Sequence, residues 1–155
     1  MRSRTPLETL LRQIDSEIAA GGGKRSKSRK HVIEIFFRSE THVTVEELTR
    51  TARTRNKNLG AATVYRTLKL LARLGYATEH DFGDGARRYE SNLSPHHDHL
   101  VCRKCGGVSE FKEPGIESLQ EEVARRHGFL ATTHRLDIYG YCGRCAPAAR
   151  EDEGR

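Results

Sequence analysis

The chain has 155 residues, 35% of them hydrophobic and 31% charged, with no tryptophan; that apolar content suits two small cores, one stapled by metal, better than one large core. Lys and Arg number 18 against 11 Asp and Glu over residues 1–90 and 9 against 10 over residues 91–155, so the formal charge of +6 belongs to the first part and points to nucleic acid as partner. No secretory signal opens the sequence and no apolar run is long enough to span a membrane, so a cytoplasmic protein is expected, its four cysteines serving as zinc thiolates rather than disulfides.

Leu7, Leu10, Leu11, Ile14 and Ile18 recur at helical spacing and predict an amphipathic helix over residues 6–20, ended by Gly21-Gly22-Gly23. Lys24, Arg25, Lys27, Arg29 and Lys30 open a second helix carrying Val32, Ile33, Phe36 and Phe37; basic residues oppose the macrodipole there, which is reasonable if phosphates lie nearby. Residues 39–42 read as a turn, and Thr44 with Glu47 as a capping box starting a third helix over residues 45–53.

A fourth helix is predicted over residues 61–74, stopped by Gly75. Val64, Leu68, Leu71 and Leu74 share one face, while Thr63, Tyr65, Arg66, Lys69 and Arg73 form an outer face suited to phosphates, base edges and thymine methyls. That pattern is a helix-turn-helix. Residues 76–80 and 86–90 flank Phe82-Gly83-Asp84-Gly85 and predict a hairpin wing, placing Arg87 and Arg88 against the DNA backbone. The expected division is a DNA-binding domain over residues 1–90, a hinge over 91–95, a metal-binding domain over 96–145 and a disordered tail over 146–155.

The second domain is expected to run from a strand starting at His96, through the Cys102-x-x-Cys105 knuckle, to a strand over residues 108–112 and a helix over residues 116–127 with Ile116, Leu119 and Val123 inward. A long strand over residues 129–141 then leads to the second knuckle, Cys142 and Cys145. Two Cys-x-x-Cys pairs can close one tetrahedral zinc site. Side chains alternate along a strand, so His96 and Asp98 point one way and His97 and His99 the other.

One short run can thus seed two further metal sites. Glu117 and His134 are candidates to complete the first; Glu110, with His42 and Glu90 from the other domain, is a candidate for the second. The ligand types suit Fe²⁺, Mn²⁺, Zn²⁺ or Co²⁺. A thiol oxidoreductase and a zinc hydrolase are the competing classes. Against the first, Cys142-x-x-Cys145 does not open a helix in a βαβ setting; against the second, the sequence holds no His-Glu-x-x-His and no deaminase motif.

Ala62-Thr63-Val64-Tyr65-Arg66, the run from His96 to Cys105, and Tyr139-Gly140-Tyr141-Cys142 together resemble the ferric uptake regulator family of metal-dependent bacterial repressors, from about Lys27 to Cys145. The resemblance implies an α+β chain: a winged helix-turn-helix domain followed by a small α/β dimerisation domain with a four-cysteine zinc site. It also implies a homodimer that binds AT-rich inverted repeats in double-stranded DNA when metal is present. On this resemblance structural zinc falls on Cys102, Cys105, Cys142 and Cys145, the regulatory metal on His42, Glu90, His97, His99 and Glu110, and an additional metal on His96, Asp98, Glu117 and His134. Tyr65 and Arg66 take the base-facing contacts and Lys24 a phosphate contact, beside Thr63, Lys69 and Arg87. Glu90 and Glu110 stand where the peroxide-sensing branch tends to place Asp, so iron is the first expectation for the regulatory ion, with manganese or peroxide sensing as alternatives and zinc as a further occupant. The helix before the glycine run is longer than the resemblance leads one to expect.

Overall fold

The structure, a computed structural model, describes residues 7–39, 42–83 and 85–147. Pro6, the Glu40-Thr41 part of the turn, Asp84 of the hairpin and the tail from residue 148 onward lie outside the described residues. The chain divides into two compact units between Ser94 and Pro95.

The first unit holds helices α1 (Leu7–Ala20), α2 (Lys27–Arg38), α3 (Val45–Ala52) and α4 (Ala61–Arg73). Strands β1 (Val43–Thr44), β2 (Ala77–Asp81) and β3 (Arg87–Ser91) pair antiparallel in the order β1-β3-β2. Local chemistry sets the helix starts. Ser26 caps α2 by accepting from the Arg29 amide, and at α3 the Thr44 amide donates to Glu47 Oε2 at 2.8 Å while the Glu47 amide donates to Thr44 Oγ1 at 3.1 Å. Gly75, at φ 79°, ends α4 in a conformation that a side chain would strain. The strand β1 is too short to leave a periodic signal, and it zips the start of α3 to the wing through Val43 opposite Tyr89.

One apolar core joins these elements. Leu10, Leu11, Ile14 and Ile18 of α1 meet Val32, Ile33 and Phe36 of α2, Leu48 of α3, Val64, Leu68 and Leu71 of α4 and Tyr89 of β3. Truncating one such fully buried leucine costs about 2–5 kcal/mol. Tyr76, just beyond α4, donates its hydroxyl to Glu17 of α1 at 2.6 Å. Burial first and that carboxylate second push the phenol up to about 12.

The second unit comprises β4 (Asp98–Cys102), β5 (Val108–Phe111), α5 (Pro114–Arg126) and β6 (Asp137–Gly140), in one sheet of order β5-β4-β6. The central strand β4 is antiparallel to β5 and parallel to β6. Two expectations are corrected here. The long strand over residues 129–141 is reduced to Asp137–Gly140, and residues 129–136, His134 included, run without regular structure. The helix α5 buries no residue within the chain: Leu119 is 61% exposed and Val123 44%, because a helical stripe marks an apolar face but not what covers it. Among the described residues no helix is long and apolar enough to cross a membrane.

Candidate metal centres and nucleic-acid face

The first knuckle turns between β4 and β5, and the second follows β6, which lies beside β4 in parallel, so the two strands deliver their cysteines to the same end of the sheet. One Sγ from each of Cys102, Cys105, Cys142 and Cys145 lies within 4.8 Å of the others, and all four are free thiols. The Cys105 and Cys142 sulfurs are 3.9 Å apart, close to the roughly 3.8 Å edge of a tetrahedron with 2.3 Å zinc–sulfur bonds. The Cys142 amide donates to Cys102 Sγ at 3.3 Å, tying the pairs together; the Gly106 amide returns to the Cys102 carbonyl at 2.9 Å and the Cys145 and Ala146 amides to the Cys142 carbonyl at 2.8 Å, which folds each pair tightly.

Backbone N–H donors, that of Cys142 first, bring the Cys102 thiol down to about 6, and the Cys145 N–H foremost lowers Cys142. Cys145 goes the other way, up to about 12, through its thiol hydrogen bond to Cys142 and then burial. Four crowded sulfurs, two of them with thiols eased toward the thiolate by backbone donors, fit a divalent soft-to-borderline cation.

A second cluster also lies wholly within this unit. One ligand atom from each of His96, Asp98, Glu117 and His134 lies within 4.8 Å of the rest. His96 Nε2 stands 3.4 Å from Asp98 Oδ1 and 3.3 Å from Glu117 Oε1, while His134 Nε2 stands 3.2 Å from Glu117 Oε2. Asp98 is fully buried, yet neither of its carboxylate oxygens has a hydrogen bond; nor do the buried Glu117 Oε1 and His134 Nε2. A fully buried carboxylate without a hydrogen bond, beside a second, partly buried one, is costly unless a cation neutralises it, so this donor set fits a metal ion.

The remaining candidate ligands belong to different units. In the first unit His42 Nε2 lies 2.9 Å from Glu90 Oε2, and His80 Nε2 lies 3.0 Å from Glu90 Oε1. Burial alone would raise the Glu90 carboxyl, but the hydrogen bonds with His42 and His80 prevail and hold it well below the usual range. The His80 ring stacks on Phe82, with centroids 5.4 Å apart, and the Arg88 guanidinium sits over the same Phe82 ring at 5.8 Å.

In the second unit the His97 and His99 rings are 5.0 Å apart, and His97 Nε2 is 3.8 Å from Glu110 Oε2. His97 Nδ1 pairs with the Pro95 carbonyl at 3.0 Å and His99 Nδ1 with Asp137 Oδ1 at 2.9 Å. His80 and Asp137 were not among the expected site residues. His80 reaches Glu90 because Thr78 opposes Glu90 in the hairpin, putting His80 two residues along on the same face. Asp137 reaches His99 because β4 and β6 pair directly at those two positions.

On the outer face of α4, Tyr65 is 45% exposed, Arg66 and Lys69 are exposed, and Thr63 is half-buried; Lys24 is exposed at the mouth of α2. Lys69 Nζ pairs with Glu79 Oε2 of β2 at 2.8 Å, and Arg87 of β3 pairs with the other Glu79 oxygen. The Lys69 bond, ahead of opposing burial, lowers the Glu79 carboxyl. One wing carboxylate therefore fixes the placement of two cations that the sequence offers to phosphates.

Residues 20–139 match the model of the ferric uptake regulator family. A ferric uptake regulation protein of Campylobacter jejuni is 39% identical over 140 residues, spanning 89% of each chain. Among solved structures, the Helicobacter pylori ferric uptake regulator, described as having three functional metal binding sites, superposes with a TM-score of 0.84 at 33% identity, covering 94% of this chain and 97% of that one. A zinc-bound manganese uptake regulator superposes with a TM-score of 0.65 at 42% identity, covering 84% of this chain and 97% of that one.

Proposed function

The chain belongs to the ferric uptake regulator family, whose members are metal-dependent transcriptional regulators, and on that premise we propose that it is a homodimeric repressor that binds AT-rich inverted repeats when Fe²⁺ occupies a regulatory site. The observation that carries the reading is the pairing of a basic helix-turn-helix and wing with three sets of metal-capable side chains. On this reading residues 1–90 are the DNA-binding domain, residues 91–95 the hinge and residues 96–145 the dimerisation domain.

We assign structural zinc to Cys102, Cys105, Cys142 and Cys145, an additional metal to His96, Asp98, Glu117 and His134, and the regulatory ion to His42, Glu90, His97, His99 and Glu110. For the last set the support is chemical: His42 and Glu90 of the first unit and His97, His99 and Glu110 of the second are imidazole and carboxylate donors of the kind that suit a divalent transition-metal ion, and the second three alone amount to a two-histidine, one-carboxylate set. His42 and Glu90 of one unit with His97, His99 and Glu110 of the other would hold a divalent cation, whose positive charge would offset their carboxylates. Occupancy of that set would bias the winged helices toward the half-site spacing of the operator, so that metal binding and DNA affinity would share one coupling free energy.

Lys24, Lys69 and Arg87 then contact phosphates, while Thr63, Tyr65 and Arg66 face the bases. For the dimer the support is the uncovered apolar surface of the second unit, an open groove of about 700 Å³ lined by Ile116, Leu119, Val123, Phe129 and Leu130. Leu130 is 91% exposed and Phe129 76% in the single chain, a burden that a second copy would relieve. The site of action is with the DNA, in the cytoplasm, and no catalytic role is assigned. Manganese is the second reading, favoured by the likeness to the manganese uptake regulator. Electrophoretic shift of an AT-rich inverted repeat at matched Fe²⁺, Mn²⁺ and chelator concentrations tests the proposal. Specific retardation only with metal supports it, and equal retardation of all duplexes in chelator contradicts it.

A further inference from the structure

The imidazole of His99 is almost fully buried, and a buried histidine whose ring can rotate or exchange tautomers is a poor metal ligand. On one side its position is set by the sheet: His99 of β4 lies directly opposite Asp137 of β6 in the parallel pairing. Asp137 Oδ1 is 2.9 Å from His99 Nδ1, and Arg135 holds Asp137 Oδ2 through Nε and Nη2, each at 2.5 Å. An ionised carboxylate can only accept a hydrogen bond. In the neutral imidazole, the form that can ligate a metal, the proton of His99 is therefore on Nδ1 and Nε2 carries the lone pair.

His97 is set the same way by a weaker acceptor, the neutral carbonyl of Pro95. The two rings stand 85° to one another, so their Nε2 lone pairs depend on independent anchors. We propose that Asp137 is a positioning residue for metal binding at His99: it fixes the tautomer and ring orientation and increases the donor strength of Nε2 toward a divalent transition-metal ion, with Arg135 locking the carboxylate in place. The inference rests on the assignment of His99 to the regulatory site. It adds a negatively charged partner that neither the ligand run nor its alternation indicated, since Asp137 is 38 residues away.

Metal binding itself is the readout, in full-length zinc-loaded protein carrying His134→Ala so that the additional site does not contribute. Co²⁺ titrated into this background, followed by its visible d–d absorption, is expected to bind about 10–100-fold more weakly when Asp137→Ala is added, with an altered spectrum and unchanged thiolate-bound zinc. Asp137→Asn, whose amide oxygen still accepts from Nδ1 without the charge, should fall between. Wild-type affinity and spectrum in Asp137→Ala, while His99→Ala loses the binding, overturns this proposal and leaves the site assignment standing. Unchanged Co²⁺ binding in His99→Ala overturns the assignment and the proposal with it. Should Asp137→Ala lose its zinc, Asp137→Asn decides, an intermediate affinity supporting the proposal and a wild-type affinity refuting it.

Discussion

Asp98→Asn is expected to act with opposite sign in the metal-free and metal-loaded protein. Asp98 is wholly buried and its carboxylate oxygens lack hydrogen-bond donors, with Glu117 as a second carboxylate in the same cluster. Without a cation, the buried Asp98 carboxylate sits beside the partly buried Glu117 with no hydrogen bond to offset its desolvation; an isosteric amide removes the charge and the repulsion, a relief on the order of a few kcal/mol, since burying an ion costs several. For a unit of about this size the midpoint of thermal unfolding should rise by about 4–8 °C per kcal/mol. In the loaded protein the sign reverses. At free metal about 100 times its dissociation constant, ligand linkage adds about 2.7 kcal/mol to the wild type, and the variant lacking a ligand should gain almost none of it. Calorimetry at fixed protein concentration, with the thiolate-bound zinc retained and the free metal buffered, measures both states. A variant less stable than wild type in chelator, or one with an undiminished metal-induced shift, would refute the reasoning.

Cys142→Ser should release zinc and unfold the second unit, because so little apolar surface is buried there that metal binding and folding are coupled; zinc release followed with a chromophoric chelator against circular dichroism checks it. Glu79 has a folded-state pKa below its unfolded value, so the stability it contributes is fully present above the ordinary carboxylate range and disappears as pH falls through the lowered value. Urea unfolding over roughly pH 3 to pH 6, a window that brackets the ordinary carboxylate range, should show a flatter acid limb in Glu79→Gln. Arg66→Ala should cost about 1–3 kcal/mol of operator affinity and relax discrimination among operator variants, whereas Lys24→Ala should weaken all duplexes alike and lower the salt slope by about one, both by fluorescence anisotropy.

The first unit was legible because its signals are local. Thr44 with Glu47 announces α3, Gly75 ends α4, and Val64, Leu68 and Leu71 declare which face of α4 is inward. The second unit was legible in its ligand types and spacing but not in its packing. His96 and His97 precede β4 and His134 lies in no strand, yet His96 joins Asp98, Glu117 and His134, and His97 lies beside His99. The missed contributors share one cause. His80 and Asp137 act through strand pairing across a hairpin and across a helix-containing crossover, and register of that kind is decided by the packed sheet rather than by any short stretch of sequence. The inward assignment of Leu119 and Val123 failed for a related reason, since periodicity cannot say whether a face meets the same chain or another.

The central claim is that the metal ligands of the two units and the DNA-binding face share one equilibrium. Linkage gives it a direct test: the Fe²⁺ or Mn²⁺ affinity of the zinc-loaded protein, measured with buffered free metal in the presence and absence of operator DNA, should rise with DNA by the same factor by which metal raises DNA affinity, a coupling of about 1–3 kcal/mol or more. A metal affinity unmoved by saturating operator DNA, in protein that binds both ligands, would contradict it.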